Sequence, residues 1–388
     1  MKKMFRILFA VLTFGYFSQV LAEAATLTGT PPTVTVTRIG SITDSAILNP
    51  INSEIETELI NAFNLAVIEA NESLSIFQNQ DDLAKGFANA NAYASRAATH
   101  QGYQDYSHFA VTTGIMVGVQ TPSIDPDYYD DLEDKVKEDG DLYAGVGVGL
   151  AMINVGINAN FIYPGLYLSF KFGKLPESIN EIDDFQTKST LLGLGLNYTW
   201  KKSKDYFMGL IRWRGISLGT GLLYNKTEVD LTVNMEPIIE EIPDYDLSAY
   251  GLNDITGVSV ELTPSFVMGV HAKTISIPFD ATTSVRLLWV LNLNLGAGVD
   301  IDMGTSDIIL EAAGDVHANV PENADVEMSN IPGSVIIDGS TRDAKPSFVR
   351  PRVTTGVGIN ILPIKIDIPI TWYLTSGFAV GITAGIVW

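Results

Sequence analysis

The sequence predicts an all-β fold: a transmembrane antiparallel β-barrel of about 12–14 strands, preceded by a partly helical N-terminal segment. Three observations predict it. Beyond residue 107, apolar residues recur at every second position, in runs of roughly the 9–11 residues that cross a bilayer on a tilt. The composition is acidic yet apolar, with a formal net charge of −21, 46% hydrophobic residues and a mean hydropathy of +0.18. That combination suits charge gathered in loops and apolar side chains gathered in a lipid belt. The final run, Phe378, Val380, Ile382, Ala384, Ile386 and Trp388, alternates with small or neutral residues and stops on an aromatic, as a closing strand at a membrane interface would.

Residues 1–22 read as a secretory signal peptide. Lys2, Lys3 and Arg6 give a basic start, Ile7 to Phe17 a short apolar core, and Ala22 lies among small residues at cleavage spacing. Residues 23–106 then form an N-terminal extended and helical segment, placed either as a plug in the lumen or in the periplasm, and 107–388 form the barrel. Within the segment, 26–42 reads as extended, with a short strand at Val34–Val36. Ser53 to Glu56 reads as a capping box, and Ile55, Leu59, Ala62, Phe63, Ala66, Leu74 and Phe77 follow at helical spacing, which predicts a helix over 53–77. The Ala-rich stretch 83–99 reads as a second, tightly packed helix or a compact coil. The absence of cysteine removes disulfides, thiolate catalysis, Cys-type zinc sites and a lipid-bearing Cys. After the leader no run approaches the roughly 18 apolar residues of a membrane helix, so a bilayer would have to be crossed by a closed barrel.

Twelve strands are predicted: 109–119, 142–152, 155–163, 166–172, 192–200, 214–224, 227–235, 258–277, 285–301, 353–361, 364–374 and 378–388. The stretch 303–347 would add a hairpin. An even count puts both termini in the periplasm. Connections 122–141, 201–211, 236–255 and 303–347 then fall outside, and Asn225-Lys226, 278–283 and Leu362-Pro363 fall inside as short turns. Connection 174–189 disagrees, being long on the inner side. Trp200 and Trp372 mark strand ends, whereas Trp289 falls mid-strand on the lipid-facing parity.

The opposite face is small: Gly114, Gly118, Gly145, Gly147, Gly149, Gly193, Gly195, Gly219, Gly221, Gly296, Gly298, Gly356, Gly358, Gly381 and Gly385. Glycine in a strand marks either close approach of another backbone or the coiling of a tight barrel. The first reading makes room for a plug drawn from 83–106, and a hydrophobic lumen would suit apolar solutes. Catalytic, cofactor-binding and metal-ligating residues are not expected. His100, His108, His271 and His317 show no paired spacing, and His108 and His271 fall on inward parities. Gly145 to Gly149 lacks the following helix of a nucleotide loop. The acidic runs 125–141 and 236–246 read as solvated loops, or as docking sites for a cation or a basic partner. The glycosylation-like triplets at Asn197 and Asn225 sit in or beside strands. The negative charge excludes nucleic acid.

The segment 87–120, FANANAYASRAATHQGYQDYSHFAVTTGIMVGVQ, resembles the region through the first strand of spirochaete outer-membrane proteins, in particular the leptospiral surface-adhesin family. That resemblance implies a surface-exposed protein, with a lipidation Cys missing here. The plugged layout is similar to long-chain fatty-acid transporter barrels, with their Asn-Pro-Ala signature present only as Asn49-Pro50-Ile51. Two functions follow as expectations: a passive channel or transporter for small solutes, hydrophobic ones among them, or an adhesin-type barrel that binds host or cell-surface partners through its loops. The expected partners are outer-membrane lipid and, through the strand ending at Trp388, the barrel-assembly machinery.

Overall fold

A computed structural model describes residues 26–74, 80–99, 106–121, 144–175, 185–234, 237–242, 244, 258–319, 326–338, 341–361, 363–375 and 377–388. Phe77, His100 and the acidic run 125–141 lie outside them. The described chain begins with β1 (Thr26–Thr30), β2 (Thr33–Ile39), α1 (Ser45–Leu74) and α2 (Gln80–Ala94). The strands continue with β3 (Phe109–Gln120), β4 (Gly145–Asn158), β5 (Leu166–Lys174), β6 (Phe185–Lys201), β7 (Lys204–Tyr206), β8 (Ile211–Asn234) and β9 (Ile238–Glu241). They end with β10 (Ser259–Leu287), β11 (Leu291–Asn319), β12 (Val326–Ile331), β13 (Gly333–Asp338), β14 (Thr341–Ala344), β15 (Val349–Ile361), β16 (Ile364–Tyr373) and β17 (Gly377–Val387).

Among the described residues, β3, β4, β5, β6, β8, β10, β11, β15, β16 and β17 pair in that order, each antiparallel to the next. The ring closes where β17 pairs with β3, from Gly377 opposite Gln120 to Val387 opposite Ala110. The barrel is as expected, but its ring has ten strands rather than 12–14. Three expected breaks are absent, the first being the turn at 278–283, which is continuous ladder from Pro278 opposite Asp300 to Thr283 opposite Leu295. In β4, Ala151 pairs with Gly114 and Asn154 with Thr112, so Met152 and Ile153 both oppose one residue of β3. This β-bulge shifts the inside–outside alternation by one, which reads in sequence as the end of a strand. In β8, Asn225-Lys226 is not a turn but continuous ladder, paired with Leu191 and Thr190 on one side and Thr274 and Lys273 on the other.

The new count re-sorts the connections. Segments 159–165, 202–210, 288–290 and 362–363 lie at one end, the short-turn end. Segments 121–144, 175–184, 235–258 and 320–348 lie at the other, the long-loop end, joined there by one short connection, 374–376. The connection that disagreed, 174–189, thus falls with the other long ones. The expected placement of 201–211 among the outer loops is corrected by the same shift.

The outer face carries the belt. On β11, Leu291, Leu293, Leu295 and Val299 are exposed, while Asn292, Asn294, Asp300 and Asp302 face inward and are buried. On β10 the outward series is uncharged from Ile275 to Val285. At about 3.3 Å per residue and a tilt near 45°, that spans about 25 Å, the height of an outer-membrane belt. Above it the same face turns charged at Lys273 and His271. At the short-turn end the belt is edged by exposed Phe161, Tyr163, Trp200, Phe207, Trp289 and Trp388, as an interfacial girdle requires. Trp289 is therefore not mid-belt. It sits at positive φ in the three-residue turn between β10 and β11. An odd-length turn without Gly, Asn or Pro preserves the alternation of Val285, Leu287, Leu291 and Leu293, so the hairpin reads in sequence as one strand.

β8, β10 and β11 run past the belt at the long-loop end. There β10 pairs with β9, β11 with β13, and β13 with β1, while β12 pairs separately with β2. α1 packs on this extension, burying Leu48, Ile51, Ile55, Leu59 and Phe63 against Val34, Val36, Val260, Leu262, Leu310 and Val335. Asp44 caps the helix, its Oδ1 accepting from the Ala46 N–H at 2.9 Å. The expected capping box at Ser53 lies inside the helix, because the apolar spacing already begins at Leu48. The result is a second core, a cap made jointly by residues 26–74, the long ends of β10 and β11, and the described parts of 235–258 and 320–348. Thr26 pairs with Asp338 in this cap, whereas the amide of His108 donates to the Trp388 carbonyl at 2.9 Å at the short-turn end. The first described residue, Thr26, and Trp388 thus lie at opposite ends of the ring.

Candidate functional site

α2 lies inside the barrel, not beside it. Leu83, Ala84, Phe87, Ala88, Asn89, Ala90 and Asn91 through Ala98 are all buried. A helix with side chains is about 10–12 Å across, so a ten-stranded ring encloses one only if both partners are slim. The helix is slim because its wall-facing residues are mostly alanine. The wall is slim because β3 and β4 present glycine. A Cβ on Gly147 would collide with the Ala90 carbonyl and the Asn91 amide nitrogen. One on Gly118 would meet Ala90 and Tyr93, and one on Gly149 would meet Ala94. These glycines answer to the plug. Gly356, Gly381 and Gly385 do not: a Cβ there would meet neighbouring strands, at Ile368, Ile115 and Val111. Both readings of the glycine face are therefore realised, on different strands.

The grip on the plug is polar. Asn225 Nδ2 donates to Asn91 Oδ1 at 2.8 Å, and Asn91 Nδ2 donates to Thr274 Oγ1 at 2.9 Å. Thr227 Oγ1 also donates to Asn91 Oδ1, at 2.9 Å. Asn154 Nδ2 donates to the Ala98 carbonyl at 2.8 Å. Lys171, buried on β5, donates its Nζ to the Ser95 and Ala97 carbonyls and to Thr99 Oγ1, at 3.2, 3.0 and 2.7 Å. It closes carbonyls of the turn that follows α2. These bonds also explain why Asn225 breaks the apparent strand pattern: its amide serves the plug rather than a turn.

Below them runs a chain of buried ions. Arg96 of the plug reaches Asp280 on β10 at 3.1 Å and Asp300 on β11 at 3.5 Å. Arg352 on β15 holds the same two carboxylates, its Nε 2.9 Å from Asp300 Oδ1. Higher in the lumen, Arg350 pairs with Asp302, which also accepts from Ser276, and donates Nη1 to the Asn89 carbonyl at 3.0 Å. The Arg350 guanidinium lies 4.5 Å from the Tyr93 ring centroid, and Tyr93 stacks on Tyr373 at 3.8 Å. In a low-dielectric interior, charge is tolerable only with such pairing. The expected hydrophobic lumen is thus replaced, around the plug, by a polar and charged one. Inward Asp and Arg scattered singly among Gly, Thr and Asn form no sequence motif. Alternation places Asp300 inward but does not show its partner 52 positions away.

Beside the plug remains a cavity of about 40 Å³, lined by Arg96, Thr99, Asn154, Ser169, Lys171 and Asp280 among others. That admits a few waters, not a solute. The histidines fall elsewhere. His108 and His317 are exposed. His271 faces outward above the belt, 2.8 Å from Asp230 Oδ1, which corrects its expected inward parity. Glu240 and Glu241 of the second acidic run form β9 against β10. Asn197 lies mid-strand, and Asn49 to Ile51 lie in α1. Among the described residues no cluster of metal-binding side chains occurs.

No curated protein matches the chain. Among solved structures, the Pseudomonas putida toluene transporter TodX is 8% identical, covering 79% of this chain and 99% of its own, at a TM-score of 0.23. The Ralstonia pickettii toluene transporter TbuX is 8% identical over 78% of this chain and 97% of its own, with a TM-score of 0.21. A Pseudomonas aeruginosa FadL homologue is 9% identical over 77% and 98%, with a TM-score of 0.23. At such identities no channel residue transfers to this chain. The family model is another matter: described as Lsa36-like, it matches residues 33–388. The chain folds as a closed β-barrel with an apolar outer belt, and it belongs to this Lsa36-like family, the leptospiral surface-adhesin family that residues 87–120 resemble.

Proposed function

We propose that the protein is a closed outer-membrane barrel that works as a surface-binding module, with the long-loop end facing outward. One observation carries this reading: the lumen is filled by residues 83–98, held by buried hydrogen bonds and ion pairs. A barrel closed in this way offers its end surface, not its lumen. That end bears the cap, and beside the pairs Lys226–Glu228 and His271–Asp230 its described rim carries Glu240, Glu241, Asp307 and Glu311, which suits a basic partner. Binding of the detergent-folded protein to an immobilised basic matrix protein tests the reading. The expected result is binding that weakens as salt is raised and falls on Glu240→Lys with Glu241→Lys. Binding indifferent to both would contradict it.

A second reading is favoured by the ions themselves. If the plug were displaced, Arg350, Arg352, Asp280 and Asp300 would line a polar route. Passage would then favour small polar solutes over apolar ones.

A further inference from the structure

The plug is a thread with both ends tied. Reading down the lumen from the long-loop end, Gly86 meets Ala144, Ala90 meets Gly147 and Ala94 meets Gly149. Ala98 then meets Gly114, and Tyr106 meets Gly156, just before β3 begins. The chain thus enters at the long-loop end and leaves at the short-turn end. Above, residues 26–74 are tied into the cap by β1 on β13, β2 on β12 and the α1 core. Below, the chain becomes β3, which closes the ring against β17. Withdrawal upward requires unzipping β3 from both neighbours. Withdrawal downward requires dismantling the cap.

We infer that the barrel displays residues 26–74 on the side of the membrane opposite its short turns, by passing its own chain through its lumen. This rests on the outward orientation of the long-loop end that the binding-surface reading requires. It makes the N-terminal segment, not only the loops, part of the outward surface. The composition of the thread suits such a passage. Ala84, Ala88, Ala90, Ala92 and Ala94 keep the helix narrow, and the glycines of β3 and β4 leave a track for its backbone. Arg96 and Asn91 then meet their wall partners only at the final depth, which fixes where the thread stops.

The chain has no cysteine, so single substitutions give unique labelling sites. Three exposed positions report the three regions: Glu56→Cys on α1, Arg342→Cys in the 320–348 connection and Lys202→Cys in a short turn. Each full-length variant is first checked for heat-modifiable mobility, then exposed in intact cells to a membrane-impermeant maleimide. The expected result is labelling of Glu56→Cys to the same extent as Arg342→Cys. Labelling of Lys202→Cys is lost in intact cells and restored on permeabilisation. Labelling of Arg342→Cys with Glu56→Cys protected would overturn the threading while leaving the outward long-loop end intact. Labelling of Lys202→Cys with Arg342→Cys protected would invert the barrel, and the binding-surface reading would fail with it.

Discussion

Arg350 has no exposed surface, and its charge is matched by Asp302, Ser276 on the same carboxylate, the Asn89 carbonyl and two tyrosine faces. Arg350→Ala should cost about 3–5 kcal/mol, because it strands a buried carboxylate rather than merely deleting a bond. Urea titration of heat-modifiable mobility measures it, and a loss no greater than that of an exposed Lys→Ala would contradict the pairing. On the outer face, Val299→Arg near mid-belt should cost about 2–4 kcal/mol, and Leu291→Arg at the short-turn edge about 0–1 kcal/mol. Equal costs in the same titration would mean the belt is misplaced. Above the belt, the hydrogen bond to Asp230 raises the His271 pKa, aided by Glu228 and Asp307 and opposed by partial burial. A raised folded pKa stabilises fully below the ordinary value near 6.5 and is lost as pH rises through the folded one. The urea midpoint should therefore drop on alkalinisation across neutral pH, and His271→Gln should remove that part of the drop. Individual residues were the least legible in the sequence. Asn225 and Asp280 resemble turn residues because turns and buried polar networks draw on the same short polar side chains.

Elements were legible to the extent that their periodicity was unbroken. β3 and β17 follow their predicted ranges within a residue or two, since nothing interrupts their alternation. β4 was split by its bulge, and β10 and β11 were misdivided by an odd-length turn. The Ala-rich stretch predicted a narrow packed segment, and α2 is one. Its fit predicts that Gly147→Val, whose side chain would overlap Ala90 and Asn91, pushes the plug from its track. Planar-bilayer recordings should show intermittent openings in that variant. Gly385→Ala, which crowds Val111 instead, should destabilise the wall without opening it. In the cap, Leu59→Ala should cost about 2–5 kcal/mol, as for other fully buried leucines. Limited proteolysis should find α1 cleaved faster in that variant, with the ring intact.

At the scale of the molecule, the class of fold was written in the pairing of high charge with high hydropathy: the belt takes the apolar residues, the cap and loops the acidic ones. The way the ends of the chain are placed was not written there. It depends on strand parity, which one bulge and one uninterrupted Asn-Lys pair were enough to shift. Once ten strands are counted, long connections, cap and the entry of the thread gather at one end, and aromatic short turns at the other. The central claim is that this barrel is closed by its own chain. Planar-bilayer conductance of the folded full-length protein, alongside a deletion of residues 80–99, tests it most directly. The full-length protein should be silent and the deletion should conduct in steady steps. Steady conductance from the full-length protein, or silence from a deletion that keeps its heat-modifiable mobility, would contradict it.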